Sequence, residues 1–135
     1  MATEVIVRIG KTENNYAACV EGLDGFVCTA ETFEELKTEV AEGINFHLTG
    51  MREDGDPVPE ILESEYTLVY KWDVESLLEY YKGIFTKSAL ERMTGINQIQ
   101  LGHYAAGRSK PRKPQIEKIE KALHRLGEEL STISF

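Results

Sequence analysis

Gln98, Gln100 and His103 fall on the outward side of a short helical pattern, and Asn97 stands at its start. Amide side chains of this kind can pair with the N6 and N7 edge of adenine in the major groove of DNA. Just beyond them Arg108, Lys110, Arg112 and Lys113 crowd a short loop. Such a run suits phosphates flanking a groove, and its plainer reading is a solvated loop. Lys87 and Ser88, two turns upstream, complete the candidate DNA-contacting set.

These residues need two helices to position them. The first is expected to start at Thr86, to bury Ala89, Leu90 and Met93 on one side, and to stop at Gly95, which can adopt the positive φ of a helix stop. The second is expected to be capped by Asn97, with Gln100 answering the cap three residues on and Ile96, Leu101 and Tyr104 facing inward. Two helices joined by a glycine-containing turn, with polar side chains opening the second, form the helix-turn-helix arrangement whose second helix enters the major groove. Asn97 serves either as a cap or as a base contact. Glu91 occupies a position where such motifs often carry a small residue. Either Ala89 takes the tight contact in its place, or Glu91 pairs with Arg92 or Arg108.

Charge divides the chain in the same way. The whole sequence of 135 residues is acidic, with 15 Lys and Arg against 23 Asp and Glu. That balance argues against a nonspecific nucleic-acid coat. Residues 1–75, however, hold 5 basic and 17 acidic side chains, whereas residues 76–135 hold 10 and 6. Two small domains, 1–72 and 73–135, are expected, each marginal alone and aided by oligomerisation. Glu4 and Arg8 interrupt any apolar leader, and no run approaches the roughly 20 apolar residues of a membrane span. A soluble, cytoplasmic protein is expected. Cys19 and Cys28 read as small buried hydrophobes in preference to a disulfide. No Cys or His pair has metal-ligand spacing, so neither metal nor cofactor is expected.

In the first half, Val5, Val7 and Ile9 alternate with Glu4, Ile6 and Arg8, and Tyr16, Ala18 and Val20 alternate with Ala17, Cys19 and Glu21. Two strands joined by the turn 11–15 follow from that period. Gly22 to Gly25 forms a second turn, and Phe26 to Thr29 a third strand. Thr32 with Glu35 makes a capping box, after which Phe33, Leu36, Val40, Ile44 and Leu48 recur at helical spacing up to an expected end at Gly50. Residues 51–59 read as a loop and Tyr66 to Trp72 as a last strand. The fold class expected is α+β, a β-β-β-α-β unit followed by an all-α unit.

The run from Tyr16 to Gly25, the helix from Thr32 to Leu48 and the segment Glu53-Asp54-Gly55-Asp56-Pro57-Val58-Pro59 resemble the N-terminal domain of HicB-type antitoxins. Ser88 to Leu101 resembles the helix-turn-helix that a subset of that family carries at its C-terminus. The resemblance implies a trimmed ribonuclease H-like sheet that binds a small basic HicA-like toxin, an mRNA-cleaving protein. It also implies a helix-turn-helix that represses its own operon by holding operator DNA. By the same resemblance the toxin-covering surface includes Tyr16, Asp24, Gly25 and Phe26, although both aromatics serve equally well as core residues.

Catalysis is not expected. A ribonuclease H-like reaction needs converging carboxylates around two metal ions, and Glu4, Glu21, Asp24 and Glu31 are scattered over strand ends and turns. No Ser-His-Asp or Cys-His set stands out, and fold resemblance alone does not supply chemistry. The alternative to an antitoxin is a solitary regulator whose first half senses a ligand or only dimerises. The acid excess of that half favours a basic protein partner. After Pro114, Ile116, Ile119, Leu123, Leu126, Leu130 and Ile133 form a narrow apolar seam. Its distal part is expected to pair with a second copy in a homodimer.

Overall fold

In the computed structural model, which describes residues 3–135, the chain divides into two compact units, Met1–Asp73 and Val74–Phe135. The first contains strands β1 (Thr3–Lys11), β2 (Tyr16–Val20) and β3 (Val27–Ala30), helix α1 (Phe33–Asp54), a single 3-10 turn (Glu60–Leu62) and strand β4 (Tyr66–Trp72). The second contains α2 (Val74–Tyr80), α3 (Lys87–Thr94), α4 (Gln98–Ala105) and α5 (Lys113–Ser131). The fold is mixed α+β.

Strand order in the sheet is β3-β2-β1-β4. β1 pairs antiparallel with β2 and parallel with β4, in a register that sets Val5 beside Leu68 and Ile9 beside Trp72. A parallel neighbour requires a long crossover, and α1 provides it. The period-2 alternation aims Val5, Val7, Ile9, Ala18 and Val20 at α1, which answers with Leu36, Val40, Ile44 and Leu48, and all nine are buried. Thr32 caps α1 by accepting the Glu35 N–H at 3.1 Å. Phe33 packs edge-on against Tyr70 and Trp72, with ring centroids 5.4 and 5.2 Å apart.

Three expectations need correction here. α1 runs through Gly50 and ends at Asp54, because Met51 still packs on the core and Gly55, at φ 75°, ends the helix with Asp56 N–H donating to the Met51 carbonyl at 2.8 Å. The third strand begins at Val27, and Phe26 belongs to the turn before it. Cys19 is exposed, and only Cys28 is partly buried; both are free thiols. The register explains why. Cys28 stands opposite Ala18 on the side facing α1, whereas Cys19 stands opposite Val27 on the open side of the sheet.

Burial, and then the nearby Glu39 carboxylate, push the Cys28 thiol above its ordinary value. Thiolate is the reactive form, so iodoacetamide at about pH 8 is expected to label Cys19 several-fold faster than Cys28. The Cys28 rate should keep climbing above about pH 9. Peptide mass spectrometry reads both rates, and equal labelling would contradict the assigned faces.

In the second unit Leu78, Leu90, Ile96, Leu101, Tyr104 and Ile119 form the core. α2, for which periodicity gave no expectation, contributes Leu78. α5 joins the core through Ile119 and Ala122, with Leu123 partly buried beside them. The apolar seam is shorter than its spacing implies. Thr132 closes α5, so Ile133 lies beyond the helix, and Leu130 is 54% exposed. Among the described residues no helix is long and apolar enough to cross a membrane.

Candidate functional site

α3 and α4 are joined by a three-residue turn held by side-chain caps and local hydrogen bonds. Thr86 caps α3, its Oγ1 accepting the Ala89 N–H at 3.1 Å. At the other end Gly95 sits at φ 77°, a left-handed conformation that a side chain would strain, and its N–H reaches the Glu91 carbonyl at 2.8 Å. Thr94 Oγ1 donates to the Leu90 carbonyl at 2.7 Å and accepts the Ile96 N–H at 3.1 Å. Ile96, 3% exposed, plugs the turn into the core. Asn97 then opens α4, its Oδ1 accepting the Ile99 N–H at 2.7 Å. That bond makes Asn97 a cap, and its exposed side chain keeps it in the candidate DNA-contacting set.

Gln100 does not answer the cap. Its Nε2 meets Ser109 Oγ at 3.0 Å, which ties α4 to the loop that follows it. Among the described residues Glu91 pairs with neither Arg92 nor Arg108. Its Oε1 accepts the Gln98 N–H at 3.1 Å and its Oε2 accepts Gln98 Nε2 at 3.3 Å, so the carboxylate of α3 covers the first turn of α4. A negative group at a helix N-terminus is favourable because the unpaired N–H groups there carry partial positive charge.

Of the residues expected to meet DNA, Lys87, Ser88, Asn97, Gln98, Arg108, Lys110, Arg112 and Lys113 are exposed, while Gln100 and His103 are half-buried. With Leu101 and Tyr104 buried, the helical period places Ile99 and His103, one turn apart, at the centre of the outward stripe, flanked by Gln98 and Gln100. Ile99 is 68% exposed. It was missed because an isolated isoleucine among inward apolar residues reads as core; its offset from the Leu101 and Tyr104 period is the signal. The Lys87 side chain lies over Gly102, where an added Cβ would stand 3.7 Å from its Nζ.

The loop after α4 is set by Gly107 at φ 74° and by Arg108 N–H donating to the His103 carbonyl at 2.9 Å. Arg112 is the N-cap of α5 but gives it no side-chain bond, Lys113 follows at the first position, and no acid stands in the first turn. Cations here oppose the helix dipole. Among the described residues none of Arg108, Lys110, Arg112 or Lys113 forms an ion pair.

The first unit offers a different surface. Asp24 and Gly25 are exposed on their turn, and Tyr16 is half-buried with its ring 5.9 Å from that of Trp72. Phe26 cannot anchor a partner. It is 8% exposed and lies edge-on to His47 beneath α1, at a centroid distance of 6.0 Å. Along the outer face of α1, exposed Glu35, Glu39 and Glu42 share a stripe with Phe46, which is 85% exposed. Across the sheet's open side a groove of about 510 Å³ is floored by Ala17, Cys19 and Val27, with Arg8 and Lys71 beside them. Arg8 is paired with Glu21 at 2.6 Å. No three His, Cys, Asp or Glu side chains among the described residues are grouped to hold a metal ion.

Compared with protein-family models, curated proteins and solved structures, the chain has no match.

Proposed function

We propose that this chain is an antitoxin repressor of the HicB type, in which the first unit neutralises a small basic HicA-like ribonuclease and the second holds operator DNA through a helix-turn-helix. The observation that carries the reading is the α3–α4 pair. Its second helix is capped by Asn97, displays Gln98, Ile99 and His103, and is followed by four exposed cations that form no ion pair among the described residues. Unpaired cations beside a groove-sized helix suit phosphate contacts, and amide and apolar side chains on its outward face suit base edges and thymine methyl groups.

On the first unit, the acid excess supplies the potential that would draw a basic partner. Tyr16, Asp24 and Gly25 stay in the proposed toxin contact, and Phe26 leaves it. Inhibition in this reading is steric, with no catalytic residue and no cofactor. Leu126 and Leu130 on distal α5 are the proposed seam of a homodimer, which would bind a palindrome with half-sites about one helical turn, roughly 10 base pairs, or a multiple apart.

The test is co-expression of the full chain with the protein encoded beside it, followed by purification, an RNA-cleavage assay and footprinting of the upstream DNA. A stable complex with silenced cleavage and a protected palindrome is expected. Protected DNA with no inhibited ribonuclease would leave the solitary regulator.

A further inference from the structure

We propose that Glu91 is a positioning residue that presents Gln98 to DNA with its carbonyl oxygen outward, so that the site selects a base offering a hydrogen-bond donor, adenine or cytosine. This rests on the DNA-binding reading of α4 given above. The argument starts from the chemistry of the clamp. An ionised carboxylate only accepts, so the end of the Gln98 amide that meets Glu91 Oε2 at 3.3 Å must be the nitrogen. The second bond, from Gln98 N–H to Oε1 at 3.1 Å, pins the backbone of the same residue. Two contacts from one carboxylate therefore fix both the start of α4 and the orientation of its first side chain. Gln98 is exposed, and its Oε1 has no hydrogen-bond partner among the described residues.

A carbonyl oxygen held outward accepts from adenine N6 or cytosine N4, and the remaining Nε2 hydrogen can reach adenine N7. At guanine or thymine the free Nε2 hydrogen can still reach an acceptor, but the outward oxygen finds no donor on those major-groove edges and is left a desolvated, unsatisfied acceptor. The clamp also accounts for an acid in an unfavourable place. A carboxylate on a DNA-facing helix pair is repelled by phosphate. Among the described residues Glu91 makes no ion pair with Arg92 or Arg108, and the two bonds to Gln98 are its side chain's contribution.

The experiment selects binding duplexes from a randomised pool with the full chain, with Gln98→Ala and with Glu91→Gln, each checked for folding by thermal melting. Wild type should require adenine or cytosine at one position of each half-site, by roughly tenfold over guanine or thymine. Gln98→Ala should lose that requirement and keep the others. Glu91→Gln, whose amide can face Gln98 either way round, should admit guanine or thymine at that position alone, which a merely structural role would not do. If Gln98→Ala alters no position, or the position it alters is guanine or thymine in wild type, the proposal falls even should Glu91→Gln fail to fold. An unchanged preference in folded Glu91→Gln overturns it too. Enrichment of no duplex by wild type would instead overturn the DNA reading itself.

Discussion

Gly43→Ala will destabilise the first unit in the native background and stabilise it once Phe26 is Ala. A Cβ on Gly43 would stand 2.7 Å from Phe26 Cζ and 2.8 Å from Cε2, inside van der Waals contact. Overpacking of that kind costs about 1 to 3 kcal/mol, against the ~1 kcal/mol that Ala gains over Gly in a helix. Phe26→Ala alone should cost about 3 to 5 kcal/mol, a large share of the stability of a small domain. With the ring gone the Cβ meets no obstacle, and helix propensity alone decides the sign. Trp72, the single tryptophan, lies in β4 of this unit, so its fluorescence during urea unfolding reports the right transition. Were Gly43→Ala stabilising in both backgrounds, the ring would not be seated on α1.

Phe26 also marks where the sequence stops being legible. Its type fitted an anchor and a core residue equally, and only α1 passing at Gly43 decides between them. Periodicity resolved what depends on period. The strands around Val5, Val7, Ile9, Ala18 and Val20, and the stripe Leu36, Val40, Ile44 and Leu48, lie where alternation placed them. Ends were harder, because a glycine stops a helix only when its φ turns positive. Gly50 stays inside α1, Gly55 and Gly95 turn, and composition does not distinguish them. α2 had no signal of its own, being seven residues long and stabilised by Leu78 in a core assembled from four helices.

In the candidate site the caps Thr86 and Asn97 were legible because capping is local chemistry between neighbours. Long-range polar pairs were not. Glu91 reaches Gln98 seven residues away, and Gln100 reaches Ser109 nine residues away, partners that depend on the angle between helices. Cys19 shows a third limit: apolar neighbours on a strand do not bury a residue whose parity points outward.

Arg112→Asp combined with Lys113→Glu should make the second unit more stable while sharply weakening its hold on DNA. Arg112 has the extended φ and ψ of an N-cap, −81° and 166°, yet its side chain caps nothing. An Asp there can accept an N–H of the first turn, worth about 1 kcal/mol, and Glu at the next position adds about 0.3 to 1 kcal/mol by complementing the dipole. Local physics thus prefers acids where the chain carries cations. In the proposed function the preference is overridden because both cations face phosphate. Each lost phosphate contact should reduce the slope of log affinity against log salt by about 0.9, and reversing both charges should cost operator affinity on the order of a hundredfold at physiological salt. Far-UV circular dichroism follows the helices of both units, Trp72 fluorescence follows the first alone and so separates the two transitions, and titrations at several salt concentrations give the slope. A variant that melts higher yet binds with unchanged affinity and slope would show that this loop faces solvent and not DNA. One that melts lower would show that Arg112 and Lys113 support α5 in a way the helix end does not explain.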